Sequence, residues 1–231
     1  MRTIGLLGGM SWESSAEYYR LLNEQVRDRL GGLHSARCIL HSVDFAEIEQ
    51  LQVRDEWERA GEVLAEAAAG VQRAGAELVL LCTNTMHKVA DAVEAAIDVP
   101  FLHLADATAR AVHRAGTTTV GLLGTAFTME QDFYRGRLES LGLEVLVPDA
   151  EDRAEVHRII YEELCVGVLE DRSRSELVEV VRRMADRGAQ GAILGCTELE
   201  LLLGPDDAPV PVFPTTRLHV EAAVELALAE D

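Results

Sequence analysis

The sequence predicts an α/β fold of two similar parallel-sheet lobes related by pseudo-two-fold symmetry, with the active site in the cleft between them. Three observations predict it. First, segments recur in order: Thr3-Ile4-Gly5-Leu6-Leu7-Gly8 returns as Thr119-Val120-Gly121-Leu122-Leu123-Gly124 at an offset of 116. Gly75-Ala76-Glu77-Leu78-Val79-Leu80-Leu81 is echoed by Gly188-Ala189-Gln190-Gly191-Ala192-Ile193-Leu194 at 113, and Val99-Pro100 by Val210-Pro211 at 111. Landmarks in one order at nearly constant offset mark a duplication. Second, continuous apolar strand-like runs alternate with helical ones, as in a parallel sheet covered on both faces. Third, each copy of the second landmark runs from its strand into small, chemically capable residues: Cys82-Thr83-Asn84-Thr85 and Gly195-Cys196-Thr197-Glu198. Ligands of such sheets bind beyond the carboxyl ends of the strands. Two like halves facing one another present these groups from opposite sides, which suits a reaction with near mirror symmetry.

Thr3 to Leu7 is a first strand ending at Gly8-Gly9. Tyr18, Leu21, Leu22, Val26 and Leu30 give Glu13 to Leu30 helical spacing, stopped by Gly31-Gly32. Arg37 to Val43 is a second strand, Trp57 to Ala74 an Ala/Glu-rich helix ending near Gly75, and Glu77 to Leu81 a third strand. Thr85 to Ala96 is helical, Phe101-Leu102 begins a short strand, and Ala105 to Ala115 is another helix. The second half repeats the scheme: strand 119–123, helix 128–141, strand 143–147, helices 151–169 and 173–187, strand 191–194, then Val212-Phe213 and a last helix, 216–229. The gap at Gly116-Thr117-Thr118 is the expected boundary. The first lobe is then 1–115, completed by the terminal segment 216–231, and the second 116–215.

At 231 residues and 48% apolar content the chain can bury packed cores and lies far from the disordered regime. The 40 acidic against 21 basic residues give a formal charge of −19, which argues against nucleic acid and anionic membranes as partners. Cys38, Cys82, Cys165 and Cys196 show no CxxC and no Cys/His spacing of a metal site, so no metal is expected. The first apolar run is too short for a signal peptide, and no stretch nears the ~20 apolar residues of a membrane span. A reducing cytoplasm that keeps thiols free is the expected setting.

Gly5-Leu6-Leu7-Gly8-Gly9 lacks the GxGxxG spacing and the GK[ST] of phosphate loops. Its plain reading is a tight turn after a strand; its sharper one is that backbone amides around Gly9 and Met10 receive a small carboxylate. Cys196 is either a packed thiol or a reactive one, its pKa lowered by nearby N–H groups and a helix start. The repeat favours function. Aligned without a gap, Cys82 stands opposite Gly195 and Thr83 opposite Cys196. Strand side chains alternate in direction, so this one-residue slip packs Cys82 into its own lobe and makes Thr83 the counterpart of Cys196. Asn84, Thr85 and Thr197 are turn and N-cap types that also suit a substrate carboxylate. Glu198 and His87, a helical turn or less from the reactive positions, either cap, face solvent, or tune the neighbouring proton donor. Trp12, Trp57, Tyr18 and Tyr19 read as packing residues.

Gly5-Leu6-Leu7-Gly8-Gly9-Met10 with Tyr18-Tyr19, Asn84-Thr85-Met86-His87 and Gly195-Cys196-Thr197-Glu198 together resemble the aspartate/glutamate racemase family over essentially the full chain. The chain looks especially similar to the subgroup of broad-specificity amino-acid racemases. The resemblance implies a cofactor-independent, homodimeric racemase of small-molecule amino acids, in which one thiol removes the α-proton and another delivers one to the opposite face. The family's first-lobe motif is usually Cys-Asn-Thr, and here it reads Thr83-Asn84-Thr85. A hydroxyl is a far weaker acid than a thiol of pKa about 8.5. Thr83 is therefore a poor base, yet able to donate or relay a proton to a strongly basic carbanion. The family assigns the second-lobe cysteine to L-substrates, so Cys196 is expected to favour proton removal from L-amino acids.

Acid-specific members of the family hold the distal carboxylate with an Arg near the second strand and a Lys late in the second lobe. No Arg stands around Ser42-Val43-Asp44-Phe45, the Lys position near Leu164 reads Cys165, and Gln52 offers a neutral hydrogen bond. Substrates with uncharged side chains are therefore expected. The expected substrate-binding set is Met10, Gln52, Asn84, Thr85, Thr197 and Glu198, with Thr83 and Cys196 catalytic. Pyridoxal phosphate would need an imine to lysine; the sole lysine, Lys88, has no phosphate loop beside it, and no cofactor is expected. Two other readings stay open. One is a related superfamily enzyme, such as a hydantoin racemase or a single-cysteine decarboxylase. The other is a non-catalytic two-lobe amino-acid-binding protein in which loss of the first cysteine marks lost catalysis.

Overall fold

The structure, a computed structural model, describes residues 1–204 and 206–229. The chain forms two compact units: Met1–Leu104 together with the chain from His219 onward, and Ala105–Leu218. Glu230 and Asp231, the end of the terminal segment assigned to the first lobe, lie outside the described residues.

In the first unit, β1 (Ile4–Gly8), β2 (Cys38–Ser42), β3 (Leu78–Leu81) and β4 (Phe101–Leu102) form a four-stranded sheet in the order β2-β1-β3-β4. Every pairing is parallel. Its helices are α1 (Trp12–Leu30), α2 (Phe45–Val53), α3 (Trp57–Arg73) and, after a 3-10 turn at Thr85–Val89, α4 (Ala90–Ala95). Next comes α5 (Leu104–Arg114), which packs in the second unit. There β5 (Thr119–Gly124), β6 (Glu144–Leu146), β7 (Gly191–Gly195) and β8 (Val212–Pro214) form a second parallel sheet in the equivalent order β6-β5-β7-β8. The remaining helices are α6 (Ala126–Glu130), α7 (Asp132–Ser140), α8 (Ala150–Arg158), α9 (Asp171–Asp186), α10 (Leu199–Leu202) and α11 (Thr215–Leu228).

The hydrogen-bond ladders repeat at the sequence offsets. Ile4 pairs with Leu78 and Val79 with Phe101; the counterparts Val120 with Gly191 and Ala192 with Val212 pair the same way. The N–H of Glu77 donates to Thr3 O and that of Gln190 to Thr119 O, both at 2.8 Å. The turns into β3 and β7 match too: Gly75 has φ 104° and Gly188 φ 105°, a conformation that L side chains rarely adopt. The helices before these turns bury the same face. α3 buries Ala60, Leu64, Ala67, Ala68 and Val71, and α9 buries Ser173, Leu177, Val180, Val181 and Met184, position for position. Spacing of this kind places one apolar stripe on the sheet. Gly5 and Gly121 let each helix close in. A Cβ at Gly5 would stand 3.0 Å from Val71 Cγ2, and one at Gly121 2.7 Å from Met184 Cε.

Several expectations are corrected. α5, assigned by sequence to the first lobe, is tied to the second unit by Arg137 Nε donating to Asp106 Oδ1 at 2.7 Å and by Thr108 Oγ1 lying 3.3 Å from Tyr134 OH. The expected helix 128–141 is two, broken at Gln131, whose φ −93° and ψ 152° are extended. The expected helix 151–169 is α8, a π turn at Ile159–Glu163 and a 3-10 turn ended by Gly167 at φ 77°. Helices α2 and α10 went unread, because nine and four residues give too little periodicity to see. Trp12 and Tyr19 do not pack; both are exposed, whereas Tyr18 is buried. Among the described residues, no helix is long and apolar enough to cross a membrane.

Candidate active site

The two strand-end loops are built on the same backbone plan and carry different chemistry. In the first unit, Cys82 N–H still donates to Leu7 O at 2.9 Å, so the residue continues β3 and is fully buried. Burial raises its thiol far above the ordinary range, which keeps it neutral and inert. Its counterpart Gly195 has no room for a side chain: a Cβ there would stand 2.8 Å from Leu123 O. Cys82 and Gly195 thus share an inward position, while Thr83 and Cys196 follow it, each half-buried.

The first turn of α1 braces the strand-end loops of its unit. Ser11 caps the helix by accepting from Ser14 N–H at 3.2 Å, and Ser14 Oγ donates to Cys82 O at 3.2 Å. Ser15 Oγ accepts the N–H of Gly9 at 2.7 Å and donates to Ser11 O at 2.9 Å. The Gly9 amide is therefore committed within the protein, and the expectation that it receives a carboxylate is corrected. Met10 is buried against the core of the same unit. Gln52 is buried as well, its Nε2 donating to Met86 Sδ at 2.9 Å, a weak acceptor. Asn84 is buried at the head of the 3-10 turn and makes no side-chain cap there; Thr85 is half-buried.

Beyond the loop, His87 and His219 hold the interior of the first unit together. His87 lies 2.7 Å by Nδ1 from Thr83 O and accepts Leu104 N–H at Nε2, 3.2 Å. His219 Nε2 donates to Leu102 O at 2.8 Å, leaving Nδ1 to accept from Tyr18 OH at 2.9 Å. Lys88, the only lysine, stacks its Nζ over the Trp57 ring at 3.8 Å. Burial lowers its pKa, partly offset by Asp55.

In the second unit, Cys196 Sγ donates to Glu198 Oε2 at 2.9 Å. Burial raises the thiol well above its ordinary value, and the Glu198 carboxylate raises it further by repelling a thiolate and accepting the S–H. This corrects the expectation of a lowered pKa. The helix that follows, α10, is four residues long, too short to offset that neighbour. Around the thiol, α11 supplies the bracing: Thr215 Oγ1 donates to Leu194 O at 2.8 Å, Thr216 Oγ1 to Thr197 Oγ1 at 3.2 Å, and Thr216 N–H to Glu200 Oε1 at 2.7 Å. Sequence reading missed Glu200, Thr215, Thr216 and His219. The available signal was spacing, since Glu200 follows Cys196 by four residues as His87 follows Thr83. Among the described residues, no group of three or more His, Cys, Asp or Glu is placed to hold a metal ion.

A thiol–carboxylate pair at one strand end, a threonine at the matching one and a duplicated parallel fold coincide with a family model: that of Asp/Glu/hydantoin racemases matches residues 7–223. The chain belongs to that family. A candidate Asp/Glu racemase from Yersinia pestis has a crystal structure 54% identical, covering 99% of this chain and 100% of that one, with a TM-score of 0.94. The structure of an aspartate racemase homologue from Pyrococcus horikoshii OT3 is 37% identical over 99% of this chain and 100% of that one, with a TM-score of 0.89. The broad-specificity amino-acid racemase RacX of Bacillus subtilis is 22% identical over 178 residues, 76% of this chain and 74% of its own length. Family membership directs attention to two candidate loops, the one after β3 in the first unit and the one after β7 in the second, in which Thr83 and Cys196 hold matching positions of the repeat.

Proposed function

We propose that this protein is a cofactor-independent amino-acid racemase that takes the α-proton from L-substrates with Cys196 and returns one to the opposite face from Thr83. The observation that carries the reading is the Cys196–Glu198 contact at 2.9 Å, at a strand end, in a chain of this family. In this scheme the S–H proton passes to Glu198, the thiolate removes the α-proton, and the Thr83 hydroxyl gives its proton to the carbanion; exchange with water then reprotonates the Thr83 alkoxide and takes the proton from Glu198, which restores the starting state. The acceptor is basic enough that a weak acid suffices. Preorganised donors on the substrate carboxylate lower the cost of the carbanion, a role proposed for Asn84, Thr85 and Thr197, with Met10 and Gln52 lining the side-chain end. A raised thiol pKa makes Cys196 a strong base once it is deprotonated, which suits a weakly acidic C–H. The neutral Gln52 amide supports substrates with uncharged side chains. The same reading has the enzyme acting as a homodimer in the cytoplasm without pyridoxal phosphate, supported by the single lysine and the family resemblance.

The test is α-hydrogen exchange in heavy water across a panel of L- and D-amino acids, read alongside inversion. Deuterium uptake from at least one L-amino acid is expected. Cys196→Ala should lower it by at least about 100-fold, the scale of a lost acid/base group. Affinity without uptake would show a binding protein instead.

A further inference from the structure

We propose that His87 is the positioning residue for Thr83, a strut that sets where the threonine stands without touching substrate; this deepens the racemase reading and rests on it. Thr83 O is only an acceptor, so His87 Nδ1, 2.7 Å away, carries the proton and donates it. Nε2 then accepts Leu104 N–H at the start of α5. The two bonds select the neutral Nδ1–H tautomer and occupy both ring nitrogens. The ring is 3% exposed, with the rings of His103 at 4.5 Å and of Phe101 and His219 at 6.0 Å, so it is enclosed on several sides.

The second unit shows what the strut adds. Glu200, four residues past Cys196, accepts Thr216 N–H near the start of α11 at 2.7 Å, as His87 accepts Leu104 N–H. A carboxylate cannot donate to the carbonyl of residue 196, so that side chain fastens the helix and not the reactive loop. Cys196 is instead engaged through its own sulfur by Glu198. The half with the weaker acid is thus the one whose reactive residue is held at its own carbonyl by a side chain; the carbonyl of Cys196 accepts the backbone N–H of Leu199, and the Thr215 side chain holds Leu194 O instead. Proton delivery from a weak acid depends steeply on placement, and that is where the strut acts.

Two amide substitutions separate the bonds. In His87→Asn the side-chain NH2 falls near the Nδ1 position and keeps the Thr83 bond. In His87→Gln the side-chain carbonyl falls near the Nε2 position and keeps the Leu104 bond. With an L-amino acid in heavy water, the ratio of inversion to deuterium uptake reads Thr83 against Cys196. His87→Gln is expected to lower that ratio about tenfold, the scale of one lost hydrogen bond, with uptake within about twofold of wild type. His87→Asn is expected to keep the ratio within about twofold. An unchanged ratio in His87→Gln, equal loss of both rates, or a His87→Asn protein no better than His87→Gln would overturn the strut. Nitrogen-15 NMR of the wild type supplies an activity-free check: a slowly exchanging Nδ1–H at His87 is expected, and an Nε2–H tautomer would overturn the proposal. Absence of deuterium uptake from every amino acid would end the racemase reading instead, and the NMR result would still decide the strut.

Discussion

The loop after β3 and the loop after β7 share register, turn glycine and the face buried by the preceding helix, yet differ at every chemically active position. Thr83, Thr85 and His87 in one stand where Cys196, Glu198 and Glu200 stand in the other. The backbone plan was kept because parallel ladders tolerate no slip: one residue would exchange the inward and outward side chains. The side chains beyond the strand ends are free of that constraint, and there the halves diverged. One loop holds an acid with a carboxylate beside it, the other a hydroxyl braced through its carbonyl. A duplicated fold of this kind is symmetric in its backbone ladders and asymmetric in the side chains at its strand ends.

The comparison can be broken or sharpened by substitution. The largest effect is expected at Glu198. Glu198→Gln removes the charge that opposes the thiolate, so the Cys196 pKa falls and its alkylation by iodoacetamide begins at lower pH. Turnover should nevertheless fall by about 10²-fold, because the relay for the thiol proton is gone. Alkylation shifting to higher pH would contradict the role drawn for the carboxylate. Thr83→Cys makes the loops chemically alike; inversion starting from D-amino acids should rise by roughly tenfold or more. The equilibrium between enantiomers stays unchanged, and the gain is read as initial rates in the two directions. The smallest effect on chemistry is expected at Cys82. Cys82→Ala should leave turnover within about twofold and cost about 1–2 kcal/mol of stability from the cavity left in a closed core, measured by urea unfolding. A severe loss of turnover with intact folding would mean that Cys82, not Thr83, is the true counterpart of Cys196.

The register of Cys82 against Gly195 was legible from two lines of sequence, since offsets of 116 and 113 reappear as the pairings Ile4–Leu78 and Val120–Gly191. The thiol–carboxylate pair was half legible: Glu198 could be named as a neighbour, but the direction of the pKa shift could not. A strand end beside a helix start suggested lowering, and desolvation beside a carboxylate decided for raising. The Gly9 amide was misread for a similar reason. Its partner Ser15 lies six residues away across a loop, a contact that local pattern does not encode.

By itself, the sequence determined the duplication, the two parallel sheets, the family and the order of chemically active residues, because strand periodicity, glycine turns and strand-end motifs are local properties of the chain. Tertiary structure alone decided which half owns α5, which amides are already spent, which tautomer His87 adopts and how strongly Cys196 holds its proton. Those depend on burial and on partners distant along the chain, and free energies of desolvation and hydrogen bonding exist only once the surrounding atoms are in place.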